Sequence, residues 1–522
     1  MPLLQDQTHR NIAFWGMTMI ALGLPLSIFL MSVGLIVLIV NWLLEGGIFT
    51  KLKQFFSDPL SIAVSSLFLF YCIAMVWSTD LAYGFKELKT KIPLLAIPLV
   101  LFTGKLPSKE RVRQVLLLFV VACLVGILFG MARYFQLPEE ELMNKRQLSV
   151  FISHIRFGLM LVLAFFILTY FLFARWAEWS TTEKLLSIAS LIWILWFIII
   201  LEAFTAYLAF AIVSVVAFIF LIGGKIPTAL KLYIALALLV AAGIATLYSV
   251  QVIETHYHEV PFNYRTQAVR TLNGNTYSHS KDILYRENGH RVWNFVCWPE
   301  LEKEWPTRSE YRFDGFDKKE QEIKYTVIRY MTSKGLKKDS AGIAMLTDSD
   351  IKNIEAGYTN HLYTSKLGIA RRIDQMLWAA EQYSWNENAN NSSTIQRWVY
   401  FDVGLGIWKE NPILGVGAGD VKQAYQKAYA VDSRGLEERF QGISHNQYLT
   451  VGIALGVIGF LIFCFSMFYP LFMYRKDFLF VVFTTLILVS FLTDNTFSRQ
   501  SGVLLFAFFN ALLVIRKEFS EV

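Results

Sequence analysis

The sequence predicts an all-α polytopic membrane protein with about 12 transmembrane helices and a large mixed α/β loop domain. Of its 522 residues, 55% are hydrophobic and only 17% are charged, whereas soluble proteins carry roughly 25% charged residues. Apolar runs such as LLSIASLIWILWFIIILEAFTAYLAFAIVSVVAFIFLIGG recur along the chain. Because lipid offers no hydrogen-bond partners to the backbone, such runs cross the membrane as helices.

Apolar runs of membrane-crossing length define the predicted spans. They lie at about 12–26, 27–44, 58–76, 91–103, 112–131, 156–174, 185–201, 203–222, 231–250, 446–468, 477–494 and 500–516. Basic residues concentrate in every second loop, near 51–53, 105–113, 175–184, 225–231, 475–476 and 516–517. Since cytoplasmic loops are enriched in Lys and Arg, this alternation predicts that both termini are cytoplasmic.

The same spans divide the chain into three predicted parts: an N-terminal transmembrane bundle at 1–250, an outer-face loop domain at 251–445, and C-terminal spans at 446–522. The loop domain comprises an insert at about 255–390 and a helical part at about 392–445. Alternating residues in YRTQAVRTLNGNTYSHSKDILYRENGHRVWNF predict short strands. FDKKEQEIKYTVIRYMTSKG and TSKLGIARRIDQMLWAAEQYSW predict amphipathic helices. A loop of this length indicates a functional domain.

Several classes of function and site are disfavoured. The net charge of +7 does not indicate nucleic-acid binding, because the basic residues of the short loops flank spans. The four cysteines lack the spacing of a disulfide framework or a metal site. His256 and His258 have no third metal ligand at recognisable spacing, and the pair Asp348 and Asp350 is expected to be solvated.

The stretch TIQRWVYFDVGLGIWKENP predicts an amphipathic helix. Ser393 and Gln396 form the pattern of a capping box, and Asn411-Pro412 ends the helix. One apolar face consists of Ile395, Val399, Val403 and Ile407. Arg397 falls in the first turn on an adjacent stripe with aromatic residues, where it either extends to phospholipid headgroups or serves a site.

The next stretch, NPILGVGAGDVKQAYQ, contains Gly415, Gly417 and Gly419. The spacing is reminiscent of a dinucleotide fingerprint, but no βαβ unit surrounds it. We interpret the glycines as a tight turn and Asp420 as the N-cap of the following helix. An anion at this helix start is the alternative, which the Asp420 carboxylate would oppose.

Charged and polar residues also occur at the predicted outer ends of spans. His445 and Asn446 directly precede a membrane-length apolar run. Lys89 and Lys91 precede another span, and Arg156 begins a third, against the positive-inside trend. Since an ionisable residue at membrane depth is a candidate functional residue, an anionic lipid headgroup such as a diphosphate is the natural partner for these cations.

In order, RWVYFDVGLGIWKENPILGVGAGD, SHNQYLTVGIALGVIGF and FLTDNTFSRQSGVLLFAFFNALL resemble the O-antigen ligase and polymerase superfamily of bacterial multi-span glycosyltransferases. The strong resemblance covers roughly 394–510. It implies a GT-C-like enzyme of the inner membrane, with its large loop in the periplasm. It places the catalytic His at His445 and the catalytic and diphosphate-binding Arg at Arg397, with Asn446, the three glycines and Asp420 in support.

The resemblance also implies the substrates: a glycan on undecaprenyl diphosphate as donor and usually lipid A-core as acceptor, with no metal or other cofactor and no nucleic acid. Membrane lipids complete the expected partners. Relatives carry a Ser-Arg pair in a middle span, where this chain has LEAFTAYLAF without Arg. Arg156 or Lys91, with Lys89 nearby, is the expected replacement for diphosphate binding.

These residues suit an inverting displacement. An Arg stabilises the charge that develops on the leaving diphosphate, and a neutral His accepts the proton of the acceptor hydroxyl. The open alternatives are an O-antigen or capsule polymerase and a protein O-glycosyltransferase with the same donor. A non-catalytic transporter or assembly partner is a further alternative, although we find no inverted repeat of the kind transporters carry.

Overall fold

The computed structural model describes residues 5–137, 145–222, 227–261, 268–280, 285–364, 368–386, 389–390 and 392–521. Helices dominate this part of the chain. They are α1 (Asp6–Leu26), α2 (Ile28–Leu44), α3 (Ile48–Ser57), α4 (Pro59–Ala74), α5 (Leu81–Lys91), α6 (Pro93–Thr103), α7 (Lys109–Gln136), α8 (His154–Ala174), α9 (Thr181–Leu201), α10 (Phe204–Ile222), α11 (Thr228–Tyr257), α12 (Trp298–Glu304), α13 (Ile323–Ser333), α14 (Ser340–Ala344), α15 (Asp348–Glu355), α16 (Gly368–Asn386), α17 (Ser393–Glu410), α18 (Val421–Val431), α19 (Gln447–Met473), α20 (Phe478–Thr493) and α21 (Gln500–Glu521).

The helices confirm a polytopic membrane protein. Among the described residues, 7 helices are long and apolar enough to cross a membrane. An eighth candidate is the pair α2 and α3, which is bent by 113°. Each of the twelve predicted segments coincides with a helix, but α6, with 11 residues, is too short to cross roughly 30 Å of hydrocarbon at 1.5 Å per residue. The predicted count of about 12 spans is therefore not reached by length and composition.

Local capping explains where spans begin. The carboxylate of Asp58 accepts hydrogen bonds from the backbone N–H groups of Leu60 (3.3 Å) and Ser61 (2.8 Å) at the start of α4. Pro59 occupies the first helical position, where a missing N–H costs nothing. Ser180 and Glu183 form a reciprocal capping box before α9.

The chain folds as two compact units. The first comprises residues 1–235 and 387–522. Its innermost element is α21, whose apolar stretch is almost wholly buried and contacts α6, α7 and α20. The rings of Phe119 on α7 and Phe509 on α21 meet edge to face at 4.7 Å. α19 packs along α4 and α17, which brings the segments with the strongest family resemblance into this unit.

The second unit comprises residues 236–386 and covers most of the predicted insert. It contains helices α12 to α16 and a hairpin of two short antiparallel strands, β1 (Arg286–Glu287) and β2 (His290–Arg291). The strands are shorter than the alternation predicted. The amphipathic helix predicted for residues 316–335 is confined to α13, because residues before Ile323 form a turn around Asp317. The other predicted helix is α16.

Candidate functional site

Helix α17 presents Arg397 beside a buried apolar face. Ile395, Val399, Val403 and Ile407 are all buried, as predicted, and Asn411 ends the helix. The N-cap is Ser392, whose hydroxyl accepts a hydrogen bond from Ile395 N at 3.4 Å. The predicted Ser393 cap is therefore wrong by one residue. Because Arg397 lies off the buried face, its side chain is exposed.

The residues that flank His445 in sequence are fixed by hydrogen bonds. Asn446 caps α19 by accepting a hydrogen bond from Leu449 N at 2.9 Å. The buried carbonyl of Ser444 accepts from Asn495 Nδ2 at 3.2 Å, and Gln447 Oε1 accepts from Phe497 N at 2.7 Å. Residues 444–447 are thus fixed to the turn between α20 and α21, and His445 projects from the middle of this segment with its ring exposed.

The turn between α20 and α21 supplies a carboxylate to the site. Asp494 Oδ2 lies 3.8 Å from Arg156 Nη2. Asp494 also interacts electrostatically with both Arg397 and His445. The structure therefore brings His445, Arg397 and Arg156, three residues that the sequence analysis selected separately, around one carboxylate.

The environment of His445 favours a neutral imidazole. Surrounding protein atoms desolvate the ring and, together with the charge of Arg397, lower the pKa of His445, while Asp494 opposes this shift. Neighbouring protein atoms partly desolvate the ring even though His445 is exposed at the surface, and Arg397 carries a like charge. Both effects disfavour the imidazolium, so the neutral ring that can accept a proton is favoured at pH 7. Desolvation also lowers the pKa of Arg397, but a guanidinium stays charged at neutral pH.

Two further arginines belong to this region. Arg499 lies within electrostatic reach of Arg156, and Arg146 within reach of Arg397. Arg156 and Arg499 line a cavity of about 440 Å³, together with Phe151 and the first residues of α21. Nε of Arg156 is buried and forms no hydrogen bond with the described residues. This cavity combines guanidinium groups with apolar walls.

Sequence reasoning missed Asp494, Arg499 and Arg146. A usable signal for the first two was present in TDNTFSRQ, a short polar stretch between two apolar helices. Polar residues at membrane depth are costly and commonly functional. Arg146 has no comparable signal, because it lies in a polar loop where basic residues are ordinary.

The predicted glycine turn packs against a break in α19. Gly456 has φ +64°, so α19 loses its helical hydrogen bonding there. Val416 N and Gly417 N donate to the carbonyls of Ile453 and Ala454 at 2.8 and 3.0 Å, and Val457 N donates to the carbonyl of Pro412 at 2.8 Å. The loop 412–417 therefore satisfies the backbone groups that the break exposes, as membrane-embedded backbone requires.

Glycine is necessary at both partners in this contact. A Cβ on Gly456 would lie 2.1 Å from the carbonyl oxygen of Ile413, and one on Gly415 would lie 2.5 Å from the backbone of α19. A Cβ on Gly419 would likewise lie 2.1 Å from the carbonyl oxygen of Asp80. These glycines therefore allow close backbone packing, and none of the nearest contacts of Gly415, Gly417 or Gly419 involves His445.

Asp420 occupies the N-cap position of α18, as predicted, but its side chain forms no capping hydrogen bond with that helix. Its carboxylate instead accepts hydrogen bonds from the backbone N–H groups of Thr79 and Asp80, both at 2.7 Å, and from the hydroxyl of Thr79. Asp420 therefore joins the start of α18 to the loop between α4 and α5.

The two lysines of α5 differ in availability. Lys91 is buried, and its ammonium pairs with Glu87 and lies 4.5 Å from the centroid of the Tyr71 ring. Lys89 is exposed. In this conformation Lys91 is already neutralised by a carboxylate, whereas Arg156 lines the cavity next to Arg499.

The remaining candidates have structural partners in the second unit. His256 Nδ1 contacts Asp374 Oδ1 at 2.7 Å. Asp350 forms a capping box with Thr347 and pairs with Lys334, and only Asp348 is exposed as expected. Across the described residues, no three His, Cys, Asp or Glu side chains are arranged to hold a metal ion.

Comparison with protein-family models gives a match to the Wzy_C domain, described as O-antigen ligase, at residues 348–464. The match includes α17, the glycine turn, His445 and the first part of α19, and it ends before Asp494. It confirms the resemblance to the O-antigen ligase superfamily and supports a membrane glycosyltransferase of the ligase or polymerase type. Comparison with curated proteins gives no match.

Proposed function

We propose, taking the O-antigen ligase domain at 348–464 as the premise, that the protein transfers a glycan from undecaprenyl diphosphate to an acceptor hydroxyl. The proposed acceptor is lipid A-core, and the proposed site is the periplasmic face of a bacterial inner membrane. The observation that carries this proposal is the convergence of His445, Arg397 and Arg156 around Asp494.

In this proposal His445 is the general base. Its lowered pKa keeps the imidazole neutral at pH 7, so that a ring nitrogen can take the proton of the acceptor hydroxyl. Ser444, Asn446 and Gln447 hold the segment through their bonds to residues 492–497. Such positioning matters because a general base acts only within hydrogen-bonding distance of the proton it removes.

Arg397 and Arg156 bind the diphosphate and stabilise its developing charge. Guanidinium groups match phosphate oxygens in geometry and charge. The cavity of about 440 Å³ beside Arg156 offers the diphosphate and the adjoining lipid a place to bind. Lys91 makes no phosphate contact in the proposal because Glu87 neutralises it, and Lys89 contributes long-range attraction only.

The reaction is a direct displacement at the anomeric carbon. The acceptor oxygen forms the new C–O bond while its proton passes to His445. The bond from the anomeric carbon to the diphosphate oxygen breaks, and its electron pair leaves with the lipid diphosphate. Asp494 stabilises the imidazolium that results. Attack opposite the leaving group inverts the configuration at the anomeric carbon.

The test is glycan transfer by the purified protein in lipid, with an undecaprenyl-diphosphate glycan and a panel of acceptors. Loss of the base should lower kcat/KM by about 10²–10⁴-fold in His445→Ala. Loss of the charge on Arg397 should lower it by about 10²–10³-fold in Arg397→Ala.

Two exposed residues of the same types provide matched controls, His258→Ala and Arg434→Ala, which should keep wild-type rates. Undiminished transfer by folded His445→Ala would refute the general-base assignment. Transfer to another glycan unit or to a protein, with none to lipid A-core, would replace the proposed acceptor and leave the chemistry of the donor intact.

A further inference from the structure

The second unit contains a cavity of about 340 Å³ between the end of α11, the β-hairpin and the loops after α13 and α15. This volume lies at the lower end of the range of small-molecule sites, roughly 300–1,000 Å³. Six polar residues line it: Thr255, Asn288, His290, Ser333, Lys334 and His361. None of them belongs to the site around His445.

The lining carries little net charge. The ammonium of Lys334 contacts Asp350 Oδ2 at 2.6 Å, so its charge is neutralised within the unit. Hydroxyl, amide and neutral imidazole groups make up the rest, and each of these both donates and accepts hydrogen bonds. A ligand that complements such a lining must also donate and accept, which describes a polyol better than an anion.

His361 is bonded to Ser333 through one side of its ring. Ser333 Oγ lies 2.7 Å from the carbonyl oxygen of Tyr330 and 3.1 Å from His361 Nδ1, and it accepts from the backbone N–H of His361 at 2.9 Å. Because Nδ1 is engaged in this contact, Nε2 is the ring atom available to a ligand hydroxyl, as an acceptor when Nδ1 carries the proton and as a donor in the other tautomer.

His290 packs closely against Gly335, where a larger residue would be crowded and strained. Gly335 has φ +69°, and a Cβ there would approach His290 Nε2 to 3.2 Å. No described residue forms a hydrogen bond with the His290 ring. Burial lowers the pKa of both histidines; Lys338 and His258 lower that of His290 further, and Lys334 lowers that of His361 while Asp350 opposes it.

We propose that this cavity binds a neutral sugar unit through its hydroxyl groups. Leu362, which also lines the cavity and is 44% exposed, offers an apolar surface for the C–H face of the ring. The inference rests on the proposed function only for the origin of the sugar, which is the donor glycan or the acceptor glycan. The argument from the geometry of the cavity does not depend on the proposed function.

The first measurement is the direct binding of sugars to the full-length protein in nanodiscs. Saturation-transfer NMR detects the binding. The probes are glucose, galactose, N-acetylglucosamine and N-acetylgalactosamine as monosaccharides and β-linked disaccharides, with glucuronate as the anionic comparison. At least one neutral probe should bind, and Leu362→Trp, which enlarges a side chain that lines the cavity, should weaken its binding.

The matched control is Leu272→Trp, the same change at a leucine of this unit that is 93% exposed and does not line the cavity. It should bind like wild type. His290→Ala tests the polar wall and should also weaken binding. His445→Ala should bind the sugar normally, so that failure of the catalytic proposal and failure of this one remain distinguishable.

The effect of pH provides an independent readout. Because neutral imidazoles accept from sugar hydroxyls, binding should be complete near pH 7 and weaken as pH falls to about 5, below the ordinary imidazole pKa of about 6.5. Preferential binding of glucuronate, or equal binding by Leu362→Trp and wild type, would overturn the proposal. A raised KM for the donor, or for the acceptor, in Leu362→Trp identifies which glycan occupies the cavity.

Discussion

The imidazole of His445 interacts with two opposite charges, and they shift its pKa in opposite directions. Arg397 lowers it and Asp494 raises it, in addition to the larger effect of desolvation. A base in this position is neutral at rest and is stabilised once it has accepted a proton. The rate of transfer should therefore depend on pH through the protonation of His445, and Arg397 and Asp494 should set the pH at which the rate falls.

Asp494→Asn should move the acidic limb of the kcat/KM profile to lower pH. Removing the carboxylate removes the interaction that favours the imidazolium, so the pKa of His445 falls further. Since only the neutral ring acts as base, activity is present above that pKa and is lost as pH falls through it. The measurement is the pH dependence of transfer in lipid.

Removing the positive charge of Arg397 should shift the pKa of His445 in the opposite direction, to a higher value. Arg397→Gln removes a repulsion, so the acidic limb of its residual activity should move to higher pH. Asp402→Asn on the exposed face of α17 is the control and should leave the profile unchanged. If both Asp494→Asn and Arg397→Gln leave the limb in place, then His445 is not the group that titrates.

At the scale of elements, the break in α19 makes one helix depend on a loop. Gly456→Ala combines a left-handed φ with a Cβ placed 2.1 Å from the carbonyl oxygen of Ile413. We expect a loss of about 1–3 kcal/mol in the free energy of unfolding and a reduced rate of transfer, because His445 directly precedes the N-cap of α19. Thermal unfolding of the detergent-solubilised protein measures the first effect.

Gly406→Ala is the matched control for this change. Gly406 lies on the exposed side of α17, and a Cβ there meets nothing within 4 Å. In a helix interior, alanine is favoured over glycine by about 1 kcal/mol, so this variant should be slightly more stable than wild type. Destabilisation of equal size in both variants would contradict the role assigned to the break.

Local patterns predicted the elements better than the contacts between them. The apolar face and the end of α17 follow from 3.6-residue periodicity and from Asn411-Pro412, and both are observed. The cap was misplaced because Ser392 and Ser393 are adjacent and chemically equal. The carboxylate of Asp420 was misassigned because its true partners, Thr79 and Asp80, are remote in sequence.

At the scale of the whole molecule, the candidate site joins segments from across the chain. Sequence motifs identified His445 and Arg397. They did not identify Asp494, whose carboxylate interacts electrostatically with both of them. Sequence spacing does not show that Arg156 on α8 contacts the carboxylate of Asp494 in the turn before α21. The predicted count of about 12 spans is not confirmed, because apolarity alone does not distinguish a crossing helix from a short buried one such as α6.

The distribution of basic residues predicts an orientation that fusion proteins can test. A green fluorescent protein fused at the C-terminus should fluoresce, since it folds in the cytoplasm. Alkaline phosphatase fused after Asn390 should be active, since it requires the outer face. An active phosphatase at the C-terminus would reverse the proposed orientation and place His445 on the cytoplasmic side.

The pairing of loop 412–417 with the break in α19 also bears on how the chain is made. The loop precedes α19, so the ribosome delivers it first. When α19 leaves the translocon, the carbonyls of Ile453 and Ala454 meet partners that have already been synthesised. The hydrogen-bond donors that these two carbonyls need are thus already part of the synthesised chain when the interrupted helix enters the lipid.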